Sequence, residues 1–274
     1  MFKENLKSII KILADAGEAI LEIYERDDFQ MELKSDNSPV TIADRKSGEI
    51  INNGLLQLFP DIPIINEENK IAAYKERKSW THYFLIDPLD GTKEFINRNG
   101  EFCINLALME RTKPVEAFIY QPLEKKGWFC KEGEGIVTFD DKGKIYGVEE
   151  QKEKSSKIRI VASRSFFKPR EAELIQKIEE TYPIEIIHRG SSLKQIDIIC
   201  GNADMYMKAG PCSEWDTAPG QLMIEEFGGA VLLHSNFQPM RYNKTEMKNP
   251  YFVMLNSRLN NPKFIQFLKQ IILD

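Results

Sequence analysis

Apolar residues recur every three or four positions through the start of the chain. Leu6, Ile9, Ile10, Leu13, Ile20, Leu21 and Tyr24 are separated by charged side chains. That period predicts an amphipathic helix over residues 3–26 with one face turned to a core. A second pattern of the same kind, carrying Ile50, Ile51, Leu55 and Leu58, follows "SPVTIAD". The period then changes. "IPIIN" and "HYFLID" are short apolar runs that lead into acids, and they read as buried strands. "CINLALME", "VEAFIYQP" and "GWFCKEG" read as consecutive strands broken by Thr-Lys-Pro and Pro-Leu-Glu turns, which suits an antiparallel sheet. Residues 140–157 are rich in Lys, Glu and Gly and poor in large apolar side chains. A boundary between two lobes, 1–156 and 157–274, is expected there, with a hairpin inside one lobe as the alternative. Beyond it strands and helices alternate in α/β style, from "IRIVAS" to a last helix opened by Asn261-Pro262.

Composition narrows the classes. The 274 residues carry 37 Lys and Arg against 42 Asp and Glu, a net charge of −5, so no global basic field favours nucleic acid. The apolar content of 42% is that of an ordinary globular protein. No apolar run reaches the ~18 residues of a membrane span, and the N-terminal pattern is broken by charges, unlike a signal peptide. A cytoplasmic protein is expected. Any membrane association would be peripheral, and no amphipathic basic segment supports one. Cys103, Cys130, Cys200 and Cys212 form no CxxC pair and read as reduced thiols. Three scattered histidines make a zinc site improbable, so a metal here would be a hard one held by carboxylates.

Such carboxylates are present. Glu67-Glu68 follows "IPIIN", Asp87 and Asp90 stand in "IDPLDGT", Asp216 in "EWDTAPG" and Asp44 in "PVTIAD". Each has a plain structural reading: Asp216 and Asp44 as helix caps, Glu67-Glu68 as a solvated turn. The pair Asp87/Asp90 resists one, because it leaves a buried apolar run and no Arg lies within the motif to neutralise it. If several of these acids converge, their repulsion costs on the order of a few kcal/mol per pair near a protein surface. Bound Mg²⁺, which favours oxygen ligands and shares its shell with phosphate, removes that cost. Gly91-Thr92 adds a close backbone approach and the start of a short helix, "TKEFIN", whose N–H groups suit an anion. Acids for a metal beside amides for an anion point to phosphate chemistry.

At these residues the chain resembles the inositol monophosphatase-like, lithium-sensitive, Mg²⁺-dependent phosphatases. Asp87 to Thr92 matches the D-P-[IL]-D-[GS]-T signature, and Trp215 to Gly220 with the Gly228-Gly229 stop matches W-D-x-A-[AP]-G. Glu67 in "IINEEN" matches the metal-binding Glu, although Asn66 stands where Ser or Gly is common. The match runs from about Lys34 to Gly229. "DGTKEFINRNGEFCINLAL" and "GSSLK" are similar to the 3'(2'),5'-bisphosphate nucleotidase branch of CysQ type. In place of the Thr-Asn-Phe of inositol phosphatases this chain has Lys93-Glu94-Phe95. Where they carry an acid for ring hydroxyls it has Lys208, a cation suited to a second phosphate.

The resemblance implies an α/β (layered α+β) sandwich of the sugar-phosphatase type. Helical and sheet layers would alternate in two lobes with the site between them. It implies two or three Mg²⁺ held by Glu67, Asp87, Asp90 and Asp216 with the Leu89 carbonyl and the Thr92 hydroxyl. Thr92 with Asp44 would orient or deprotonate the attacking water, and the Gly91 and Thr92 amides would meet the phosphoryl oxygens. Gly190, Ser191, Ser192, Lys194 and Lys208 become substrate-side residues, with Lys34 a weaker one, while solvated positions are the plain reading for Lys194 and Lys208. The expected substrate is a small phosphonucleotide, and the oligomer a monomer or homodimer. Inositol monophosphate, fructose 1,6-bisphosphate, a silent phosphonucleotide-binding regulator and a purely structural α/β protein are the competing readings.

Overall fold

The structure is a computed structural model that describes residues 5–26, 32–33, 39–148, 155–165 and 168–273. Seven strands form one sheet in chain order. They are β3 (Ile64–Asn66), β4 (His82–Asp90), β5 (Cys103–Glu110), β6 (Lys113–Gln121), β7 (Lys126–Lys131), β8 (Gly135–Asp140) and β9 (Ile145–Gly147). β3 runs parallel to β4, and every later neighbour is antiparallel. A second sheet is built from β10 (Ile158–Ser163), β11 (Ile184–Arg189), β12 (Met205–Lys208), β13 (Ala230–Leu233) and β14 (Phe252–Leu255), in the order β11-β10-β12-β14-β13. β11, β10 and β12 are parallel, and β14 is antiparallel to both its neighbours. A two-stranded antiparallel ribbon pairs β1 (Glu32–Leu33) with β2 (Pro39–Val40).

The pleat sorts the side chains into layers. On β4, Phe84 and Ile86 face one way and join Ile9, Leu13, Ile20, Ile51 and Leu55 of α1 (Leu6–Tyr24) and α2 (Ile42–Leu58). Tyr83 and Leu85 face the other way. They meet α6 (Leu193–Ile199), α7 (Glu214–Glu226) and the inner residues Val161, Tyr206, Phe252 and Met254 of the five-stranded sheet. The outer face of that sheet, with Ile160, Met205, Val253 and Leu255, is covered by α5 (Pro169–Glu179) and α8 (Pro262–Leu273). The layers are therefore helix, sheet, helix, sheet, helix, and α7, wedged between two sheets, is buried on nearly every side.

The apolar patterns place α1, α2, β3 to β7 and the alternating second half where the structure has them. The polar segment is different: β8, ahead of it, and β9, within it, extend the first sheet through residue 147, and all three positions of β9 are exposed. A strand without a buried face leaves no period-two signal. Residues 149–154, within the expected boundary, lie outside the described residues. No described helix is long and apolar enough to cross a membrane, and all four cysteines are free thiols.

Candidate active site

Two short helices remain, α3 (Tyr74–Arg77) and α4 (Thr92–Ile96). The first part of the site is built at the start of α2. Thr41 is the N-cap, and Asp44 sits three residues on, completing a capping box. The Thr41 amide and hydroxyl both donate to Asp44 Oδ2, at 2.7 and 2.6 Å. Asp44 Oδ1 accepts from the Thr92 hydroxyl at 2.9 Å, and the Leu89 carbonyl lies 3.3 Å from the same hydroxyl. Asp44 thus shares in the cap without being the cap itself, and it ties α2 to the start of α4. Burial raises its pKa above the ordinary 3.8, while the bonds from Thr41 and Thr92 oppose that rise.

The second part is an irregular strand. Asp87 pairs with Asn105 and Asp90 with Cys103, so two residues of β4 stand opposite one of β5. In a regular strand, residues three apart face opposite ways. The extra residue turns both aspartates to the inner, α7-facing side. The bulge is held by Ser47 Oγ, which donates to the Pro88 carbonyl at 2.8 Å, and by the Leu89 amide, which donates to Asp87 Oδ1 at 3.0 Å. Gly91 follows at φ +97°, and a Cβ there would lie 2.9 Å from the Glu101 carbonyl. Only glycine adopts that backbone freely in that space.

The third part arrives from the inner helices. Ser213 caps α7, and Asp216 at the third helical position accepts the Ser213 amide at 2.7 Å. α6 and α7 pack closely enough that a Cβ at Gly220 would meet Gln195 Oε1 at 1.7 Å. That contact lets Gln195 Nε2 donate to the Asp216 carbonyl at 2.6 Å. Glu67, at the end of β3, completes the group. One carboxylate oxygen each from Glu67, Asp87 and Asp216 lies within 4.8 Å of the others. Glu68 is outside this group. Asn66 explains its own departure from the expected Ser or Gly, because its side chain accepts the Glu68 amide at 3.0 Å and shapes the turn. Asp90 lines the same cleft but is already engaged by the Ser192 amide and hydroxyl, with Asn105 Nδ2 at 3.3 Å.

Crowded acids without a cation resist ionisation. Burial is the largest cause at each, and neighbouring carboxylates add to it. Asp87 is held well above its ordinary value, Asp90 is raised, and Asp216 is pushed up to about 7. The donor set contains only oxygen, with no imidazole among it, and it can hold a hard divalent cation.

These groups form the floor of a cleft of about 820 Å³. Leu89, Gly91, Thr92, Gly190, Ser191, Ser192, Lys194 and Lys208 all line it, while Asp44 lies behind Thr92. Lys194 and Lys208 are 7% and 5% exposed, so neither occupies the solvated position of its plain reading. The Lys194 ammonium donates to the Ser191 carbonyl and lies 5.3 Å from the Tyr206 ring centroid. Burial and the Lys208 charge lower its pKa, and Asp90 opposes them. Lys34 lies outside the described residues.

Sequence reasoning missed several contributors. Thr41 was legible as the start of a T-x-x-D box. Asn105, which joins Asp90 to Ser192, and Gln195 carry no local signal, because each acts across the fold. Arg164 and Arg189 also line the cleft. Both pair with Glu101, whose carboxylate additionally accepts the Gly190 amide at 2.7 Å.

Known proteins share this architecture. A 3'(2'),5'-bisphosphate nucleotidase CysQ of Haemophilus influenzae is 32% identical over 92% of this chain and 93% of its own length. One of Salmonella typhimurium is 37% identical over 82% and 89%. The crystal structure of CysQ from Bacteroides thetaiotaomicron superposes with a TM-score of 0.79 at 34% identity, covering 94% of this chain and 99% of that one. An IMPase of Thermotoga maritima, 20% identical with a TM-score of 0.74 over 100% of this chain and 99% of its own, shares the fold. Residues 3–271 match the inositol monophosphatase family, and the chain belongs to that family.

Proposed function

We propose that the chain is a Mg²⁺-dependent 3'(2'),5'-bisphosphate nucleotidase that hydrolyses the 3'-phosphate of 3'-phosphoadenosine 5'-phosphate, giving AMP and phosphate. The observation that carries this is the pairing of two opposed charge sets in one cleft. Glu67, Asp87 and Asp216 converge on its floor, and Lys194 and Lys208 are buried in its wall. CysQ relatives matched over most of both chains support the nucleotide as substrate.

Two or three Mg²⁺ ions would be held by Glu67, Asp87, Asp90, Asp216 and the Leu89 carbonyl. They would supply charge neutralisation at the phosphoryl group and acidify the attacking water. The chain's own groups do the rest. Thr92 Oγ1, with its proton directed to Asp44 Oδ1, has lone pairs to accept a hydrogen bond from that water. Asp44 is fixed for this by Thr41, so the proton path needs no rearrangement. The Gly91 and Thr92 amides meet the phosphoryl oxygens. The water oxygen bonds to phosphorus as its proton passes by way of Thr92 Oγ1 to Asp44, the bond to the 3'-oxygen breaks, and the leaving oxygen takes up a proton from solvent. Lys194 and Lys208 take the 5'-phosphate as point charges.

Phosphate release from 3'-phosphoadenosine 5'-phosphate and from inositol 1-phosphate, each with and without Mg²⁺ and with Asp87→Asn as the blank, tests this. Preference for the nucleotide, lost in both blanks, is expected. Preference for the inositol ester would overturn the substrate assignment and leave the hydrolytic site standing.

A further inference from the structure

The inner end of the five-stranded sheet presents the cleft with a graded row. In strand order it runs Arg189 at the end of β11, Arg164 just after β10, Lys208 at the end of β12, and Tyr251 just before β14. Neighbouring strands lie about 4.8 Å apart. Lys208 is in register with Phe252, so Tyr251 begins one residue from the partner of that lysine. The cationic groups thus occupy one side of the row and the middle, and the far side is aromatic.

Among the described residues, three aromatic rings line the cleft. Tyr206 is 5% exposed and lies under Lys194, and Phe252 is fully buried in the core. Tyr251 is 52% exposed. An aromatic ring left that open at the mouth of a cleft lined by both charged and apolar groups has an apolar face to offer a ligand. Its backbone is fixed, since the Tyr251 carbonyl accepts the His234 amide at 2.9 Å. The buried His234 ring, its pKa lowered by burial to about 4, packs at 6.3 Å and 75° to the tyrosine ring as a neutral prop.

We infer that Tyr251 is the platform on which the nucleobase of the substrate stacks. The inference rests on the nucleotidase reading and adds to it. A nucleoside bisphosphate has two anions and one flat aromatic group. The anions belong with the acid-held cations of the floor and with Lys194 and Lys208. Arg164 and Arg189 are tied to Glu101 on the cationic side. The base then extends past Lys208 to the neighbouring strand, where the open ring stands. Stacking of this kind tolerates different bases, because every base has a π face.

The test is calorimetric binding of AMP and of ribose 5-phosphate, which lacks a base, to the Mg²⁺-loaded protein, for the wild type, Tyr251→Ala and Tyr251→Phe. The preference for AMP over ribose 5-phosphate should fall at least about fivefold in Tyr251→Ala, from the usual contribution of one stacked base. Tyr251→Phe should keep it. An unchanged preference in the alanine variant, or an equal loss for both ligands, would overturn the inference. Failure of the wild type to hydrolyse the bisphosphate nucleotide is read separately, before any variant, and would remove the nucleotidase reading and this inference together.

Discussion

The starts of α2 and α7 use the same local device for different ends. Each has a hydroxyl residue at the N-cap and an aspartate three residues on, Thr41 with Asp44 and Ser213 with Asp216. At α2 both oxygens of the acid are taken, Oδ2 by the Thr41 amide and hydroxyl and Oδ1 by Thr92. At α7 the Ser213 amide takes Oδ2, and the group remains close to two other carboxylates, Glu67 and Asp87. Capping and chemistry are therefore not rival readings of such an aspartate. The lone pairs left over decide its work: Asp44 has neutral donors around it and can hold a proton path, whereas Asp216 has acids around it and can share a cation.

The sharpest test of that division is Asp216→Asn. Even partners that only orient a metal ligand are worth about 10–100-fold, so losing a ligand should cost more than a hundredfold in kcat/KM. Its metal-free melting temperature should rise, because one of the mutually repelling acids is gone, and the rise produced by added Mg²⁺ should shrink. Asp44→Asn should lower kcat by about a hundredfold or more, the usual scale of a lost proton acceptor, while keeping the full thermal response to Mg²⁺. Loss of that response in Asp44→Asn would break the comparison.

Acidity sharpens it further. In the unfolded chain Asp216 has its ordinary value of 3.8, and in the folded, metal-free protein it is about 7, with Asp87 and Asp90 also raised. The folded state binds these protons more tightly. The contribution of Asp216 to stability is complete below about pH 4 and is lost as pH climbs through about 7, and those of Asp87 and Asp90 are lost in the same direction. Mg²⁺ competes with the same protons, so it should raise the melting temperature by several degrees more at pH 8 than at pH 5, read by scanning calorimetry. Equal responses at the two pH values would show that these acids do not share the cation. The smallest expected effect is that of Thr41→Val. It removes one bond to Asp44 and the cap acceptor for Ala43, costing about 1 kcal/mol of stability. It should lower kcat severalfold with KM little changed, and Thr41→Ser should restore both.

Much of this arrangement could be read from the chain, and what could not shares one physical cause. Periodicity places α1, α2 and β3 to β7, because each buries a face whose spacing is local. The acids are legible for the same reason, since Asp87 and Asp90 follow a buried run that gives them no partner. β9 was hidden because it buries nothing. Lys194 and Lys208 suggest solvated positions in isolation, and only the layering of two sheets around α6 and α7 buries them. Asn105 and Gln195 become visible once β5, α6 and α7 meet, because their hydrogen bonds close across 15 to 87 residues of chain.

The bulge in β4 has a consequence for how this segment tolerates change. Asp87 and Asp90 point the same way only because one residue too many is fitted between them. Slipping the bulge out of this stretch, so that β4 paired regularly through both Pro88 and Leu89, would swing Asp90 onto the outer face, among the side chains of α1 and α2. Every ligand would still be spelled in the chain, yet the site would be gone. Substitutions within Asp87-Pro88-Leu89-Asp90 alter one contact at a time, whereas a slip of register rewrites the geometry. The segment behaves less like a word with four letters than like a crease whose place in the strand is the message.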